Sequence, residues 1–245
     1  APLGALRAGY VNGNQWDRTE VGRLSVAIGH NAKAKGEASI ALGLVPIATA
    51  DYAVSIGYNN TASGLSATAL GVQTTASGSS ATSIGQQTQA SGPYAVSMGY
   101  QTIASGIGST SMGYQTTASG SESTSMGQNT LASAYGSTAM GIITTASGNF
   151  STSMGNETIA SGIASTSMGN SNTASGDNST SMGLQNLASA WVSTATGRNT
   201  IASGFYSFTA GEKTKAKSNS SFSIGTWNDS TDTPDPQLPD ATDRL

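Results

Sequence analysis

Apolar and polar positions alternate along this chain in short bursts that return every fourteen residues. The first clear burst is Ser25-Val26-Ala27-Ile28-Gly29, where larger apolar side chains at 26 and 28 are separated by small ones. The alternation comes back at Ser39-Ile40-Ala41-Leu42-Gly43 and is still present at Ser221-Phe222-Ser223-Ile224-Gly225. A period of two marks a half-buried strand, and segments this short and rich in Val, Ile and Thr predict strands, not helices. A fixed repeat over so long a span predicts a solenoid, each rung burying the face of its neighbour.

Two glycine columns keep the register. Stepping by fourteen from Gly29 lands on glycine at every rung as far as Gly225. A second column starts at Gly36 and takes another small residue only at Ala50, Ala134, Ala190 and Ser218. Two glycines per rung predict two turns, because glycine reaches φ > 0 without steric cost. Each rung then reads strand, turn, strand, turn, with about five residues between turns. The expected fold is all-β, a parallel β-roll over residues 25–225, flanked by an N-terminal cap or joining segment at 1–24 and an acidic, Pro-containing tail at 226–245.

Side-chain parity assigns the faces. The column two before the second glycine is alanine in all fourteen rungs, among them Ala34, Ala62, Ala76, Ala90, Ala104, Ala118, Ala132, Ala146, Ala160 and Ala174. These alanines, with the Ser and Ala columns of the first strand, predict a very narrow interior. One residue before the first glycine stand Ile28, Leu42, Ile56, Leu70 and Ile84, followed by Met98, Met112, Met126, Met140, Met154, Met168 and Met182, the last seven being every methionine in the chain. With small residues inside, this stripe points outward and exceeds the apolar patch a soluble monomer usually exposes. Copies of the same chain are its expected cover. The methionines read as flexible packing side chains, since no His or Cys in the repeat completes a metal site. A column of amides, such as Asn59, Gln73, Gln87 and Gln101, predicts a hydrogen-bonded ladder at the rung spacing.

Composition removes most other functions. Only 9% of residues are charged, the net charge is −3 and there is no cysteine. Between Gly57 and Gly197 the charged residues are Glu122, Glu157 and Asp177, each in a different rung, so no carboxylate pair is set up for acid–base work. The lone His30, the absence of a nucleophile elbow and the absence of a phosphate-binding Gly-Lys-Ser/Thr predict no enzyme, no cofactor and no metal. No basic patch suits nucleic acid, and no apolar run approaches the roughly 18 residues of a membrane-spanning helix. The opening Ala1-Pro2-Leu3, without Met or a leader, reads as a processed, secreted chain.

The rung Ser25-Val26-Ala27-Ile28-Gly29 followed by Ala32-Lys33-Ala34-Lys35-Gly36 resembles the head repeat of trimeric autotransporter adhesins, the YadA-like head. The resemblance covers about residues 25 to 225. It implies a left-handed parallel β-roll, a parallel homotrimer with the Ile, Leu and Met column at its axis, and adhesion at a cell surface to host matrix, other cells or glycan receptors. The number three comes from the resemblance; a dimer would also hide the stripe. The same repeat occurs in phage tail fibres and other secreted fibres. This chain differs from the adhesins in carrying Ser-Thr-Ser-Met-Gly in its central rungs, as at 109–113, and neither a heptad stalk nor barrel strands follow. The expected function is an extracellular structural or adhesive fibre, joined end to end through its terminal segments into filaments. Two alternatives are an ice-binding solenoid, with Thr75, Thr117, Thr145 and Thr173 in one column that Ile47, Ile103, Leu131 and Ile159 interrupt, and a phage or injection-device fibre binding glycans through Tyr58, Tyr100, Tyr114 and Trp191.

Overall fold

The computed structural model describes residues 4–227. They fall in two compact units, Ala1–Glu122 and Ser123–Leu245. Each unit is a parallel β-solenoid of eight five-residue strands in one sheet and seven two-residue strands in a second. The described residues contain no α-helix, only a single 3-10 turn at Arg18–Glu20. Within each unit the long strands pair in sequence, one rung with the next, glycine against glycine, as in Val26↔Ile40 and Gly29↔Gly43.

The two glycine columns do different work, and neither is quite the turn glycine that the sequence predicts. The first column lies inside the long strand, as its fourth residue, with φ between 111 and 129°. An added Cβ there would come within about 2 Å of the next rung's glycine carbonyl, for example 2.0 Å from Gly169 O at Gly155. The second column does open a turn, but its φ is not positive. The left-handed residue comes two positions later and is usually not glycine: Ala38, Tyr52, Ser66 and Phe150 all have φ between 51 and 60°. Glycine is favoured in the second column because the next rung's backbone leaves no room. Where Ala134 and Ala190 replace it, their N–H groups turn to Ser137 Oγ and Ser193 Oγ, each at 3.2 Å.

The interior is as narrow as the small columns require. Ala34, Ala62, Ala104 and Ala160 are fully buried, as are Ser and Ala two and four positions before the first glycine. A third inward column, three residues after the first glycine, holds only Ala, Pro, Asn or Thr. Its hydroxyls pair with serines across the rung, as in Ser111 with Thr116 at 2.8 Å and Ser125 with Thr130 at 2.7 Å. Burying a hydroxyl is costly unless it finds such a partner. Asn172 takes a larger share: its Nδ2 donates to Met168 O and Gly183 O, while its Oδ1 accepts the N–H of Asn186 in the next rung.

The stack begins earlier than the glycine count indicates. Strand β1, Leu6–Tyr10, pairs in register with β2, Val26–His30, matching Gly9 to Gly29 over twenty residues instead of fourteen. The six extra residues lie between Tyr10 and Gly22, since Gly22 keeps the normal distance to Gly36. Arg7 stands at an inward position opposite Ala27. Its guanidinium donates to Ser25 Oγ, Ser25 O and Ala34 O at 2.7, 3.1 and 3.0 Å. Trp16 Nε1 donates to Ala32 O at 3.1 Å and the Gly22 N–H to Ala34 O at 3.0 Å. The carbonyls of Ala32 and Ala34, which a short strand stacked on Lys33–Ala34 would use, are therefore occupied by Trp16 and Gly22. The acidic tail expected beyond Trp227 lies outside the described residues.

Candidate functional site

The outer side of the long strands is the surface that the sequence singles out. Within each unit the column before the first glycine is in register from rung to rung, as in Ile28↔Leu42, Ile84↔Met98 and Met154↔Met168. None of it is buried. Ile28, Ile56, Ile84, Met154, Met168 and Met182 are 36–40% exposed, and Leu42, Leu70, Met98, Met112, Met126 and Met140 are half-buried. The column two residues earlier runs beside it, from Val26, Ile40 and Val54 in the first unit to Thr152, Thr166 and Phe208 in the second. At Phe208, where this column becomes bulky, the neighbouring column shrinks to Ala210, but beside Phe222 in the next rung it returns to Ile224.

Other surfaces are chemically different. On the short strands Thr75, Thr117, Thr145 and Thr173 face outward, but Ile103, Leu131 and Ile159 in the same column are 37–41% exposed and break the hydroxyl row. Gln87, Gln101 and Gln115 each donate to the glutamine one rung back, at 3.3, 3.1 and 3.0 Å, which is the expected amide ladder. Tyr100 and Tyr114 stack at 5.2 Å on the outer side of their strands. Trp191 belongs to the other corner, where its ring meets Tyr206 edge to face at 4.9 Å.

His30 lies against Tyr10, ring centroids 5.3 Å apart, and no group of three His, Cys, Asp or Glu able to hold a metal occurs among the described residues. The serine and threonine hydroxyls of the interior are buried against one another, out of reach of a substrate. Charges pair between neighbouring rungs: Arg23 with Glu37, Arg198 with Glu212 at 2.7 Å, and Lys33 and Lys35 with Glu20 at 2.5 and 3.4 Å. The two lysines hold the Glu20 carboxyl below its ordinary range, the hydrogen bond from Lys33 contributing most. Sequence reasoning missed Arg7 and the buried Asn60, Asn172 and Asn186. The signal for the asparagines was available, since nothing larger than Asn enters their column.

Comparison with known families places the fourteen-residue repeat. The family described as the YadA head domain repeat matches residues 21–44, 48–74, 76–102, 104–130, 132–158 and 160–186. Comparison with curated proteins found no match.

Proposed function

Because the chain belongs to the family of the YadA head domain repeat, we propose that it is a non-catalytic head module of an extracellular adhesive fibre, working as a parallel homotrimer. The observation that carries this reading is the exposed apolar face of the long strands. Within each unit Ile, Leu and Met recur there at every rung, from Ile28 to Met112 and from Met126 to Met182, up to 40% exposed. Isolated exposed apolar residues are ordinary, but a contiguous stripe marks an interaction surface. A second copy is the partner that meets this stripe at every rung, because parallel association about a rotation axis sets each column against the same column at the same height. Flexible methionine suits such a seam, filling gaps between similar side chains.

Three copies, not two, are proposed because heads of this family are usually trimeric. Surface location and end-to-end joining through 1–24 and 226–245 belong to the same proposal. Sedimentation across a concentration series, with negative-stain microscopy, tests it. Discrete three-chain particles are expected. A stable monomer would remove the case for a subunit interface, and filaments that persist after deletion of 229–245 would remove the tail as their joint.

A further inference from the structure

Two aromatic pairs in the second unit are built to one plan. Tyr135 and Phe150 meet edge to face with ring centroids 5.2 Å apart, and Trp191 and Tyr206 do so at 4.9 Å. Both use the same two columns: the residue after the second-column position, and the left-handed residue of the following rung. In both, the two residues are also joined through the main chain, Phe150 N–H to Tyr135 O at 2.8 Å and Tyr206 N–H to Trp191 O at 3.0 Å. All four rings are 43–60% exposed.

The backbone makes this placement expensive. Phe150 and Tyr206 have φ of 58 and 57°, a region unfavourable for bulky side chains. The same column holds Gly108, Gly136, Ser66 and Ser80, which the conformation tolerates better, and also Tyr52 and Tyr94, whose φ is 60°. What sets Phe150 and Tyr206 apart from Tyr52 and Tyr94 is that each also meets a second exposed ring, and such paired rings left in water point to a ligand.

We propose that these two ring pairs bind an uncharged glycan chain, which deepens the adhesive reading above by naming a ligand class for it. Flat rings offer the apolar face on which the C–H face of a sugar packs, and Asn149, Asn178 and the surrounding serines supply hydrogen-bonding neighbours. Charge excludes a polyanion: from Ser123 to Gly197 there is no Lys or Arg, and the next cation, Arg198, is engaged by Glu212. Area argues against a protein, which needs about 800 Å² of surface per partner, whereas these are two-ring islands with Ile163, Ala164, Asp177 and Asn178 at the corners between them. Four rungs separate equivalent residues, Tyr135 from Trp191, or about 19 Å at the strand spacing, so one extended chain engages both.

The test is a glycan array on the whole protein followed by calorimetry with neutral oligosaccharides that score. Serine is the replacement of choice, since sister rungs carry it at Ser79 and Ser80. Trp191→Ser with Tyr206→Ser is expected to weaken binding about 100-fold through lost bivalency, and removal of both pairs to abolish it. Tyr206→Phe is expected to retain it, and raising salt to leave affinity unchanged. Absence of any neutral ligand, binding that survives loss of all four rings, or salt-sensitive binding of sulfated or sialylated glycans alone would overturn the inference. Sedimentation of the same variants separates the two proposals. A trimer that binds no neutral glycan defeats this one, and a glycan-binding monomer defeats the assembly.

Discussion

The hydroxyls of Ser153 and Thr158 lie 2.8 Å apart across the interior of their rung. The same contact recurs between Ser83 and Thr88 and between Ser97 and Thr102, each at 2.7 Å. One rung before Ser153, Ala139 occupies the serine position, and the buried Oγ1 of Thr144 opposite has no hydrogen-bond partner among the described residues. Ala139→Ser should therefore stabilise the protein by about 1 kcal/mol, because it pairs a group already desolvated. Ser153→Ala should destabilise it by about 1–2 kcal/mol by orphaning Thr158. Denaturant midpoints of the two variants should move in opposite directions; a loss of stability in both would mean the interior has no room for the added hydroxyl.

The glycine columns predict a contrast between two Gly→Ala changes seven residues apart. At Gly155, alanine meets both a φ of 123° and a carbonyl 2.0 Å from its Cβ, and the obstacle is backbone. At Gly162 an added Cβ also meets backbone, 2.1 Å from Gly176 O, but the φ is not positive, and the chain's own Ala134 and Ala190 show how the turn adapts. Ser165, three residues on, has a buried Oγ without a partner and is placed to receive the displaced N–H. Gly155→Ala, strained in both φ and space, is expected to cost about 3 kcal/mol or more, and Gly162→Ala, strained in space alone, about 1–2 kcal/mol. Thermal melts of the two variants check the ranking, and equal costs would refute it.

What the sequence made legible is what side-chain parity decides locally. Alternation alone set the alanines inward and Ile28, Met154 and their columns outward, since successive residues of a strand face opposite ways whatever they pack against. The reason for the first glycine column was not legible, because the atom that excludes a side chain at Gly155 belongs to Gly169, fourteen residues away. Asn172 was legible only in part: nothing larger than Asn enters its column, but Asn and Thr are mostly surface residues, and its three hydrogen bonds are what explain it inside. Arg7 was hidden by arithmetic, since six inserted residues put Gly9 out of step with the count.

Acid should loosen the N-terminal segment before the rungs. Glu20 is held by Lys33 and Lys35 and titrates below its ordinary range. A carboxyl with a lowered folded-state pKa contributes stability above the unfolded value of about 4.3, and that contribution is lost as pH falls through the folded one. Hydrogen exchange of residues 11–24, corrected for the intrinsic pH dependence, should show protection at neutral pH that declines below that point. Glu20→Gln should be less protected at neutral pH and flat across the same range. A wild-type profile in that variant would show that the lysine contacts contribute nothing.

Met154 allows assembly to be separated from folding. It is 37% exposed on the outer side of its strand, with Met140 and Met168 as its ladder neighbours. In a single chain Met154→Lys keeps its ammonium in water at little cost, as an outward side chain with a long stem can. In the proposed trimer three ammoniums would meet at one height around the axis, where desolvation and mutual repulsion cost several kcal/mol. The variant should therefore keep its β-sheet circular dichroism while its subunit dissociation constant rises at least about 100-fold, the equivalent of about 2.7 kcal/mol. Met154→Leu should assemble normally, since Leu42 and Leu70 already occupy this column. If Met154→Lys sediments as the wild type does, the stripe is not the subunit interface, and the half-exposed apolar column must be covered by something other than itself.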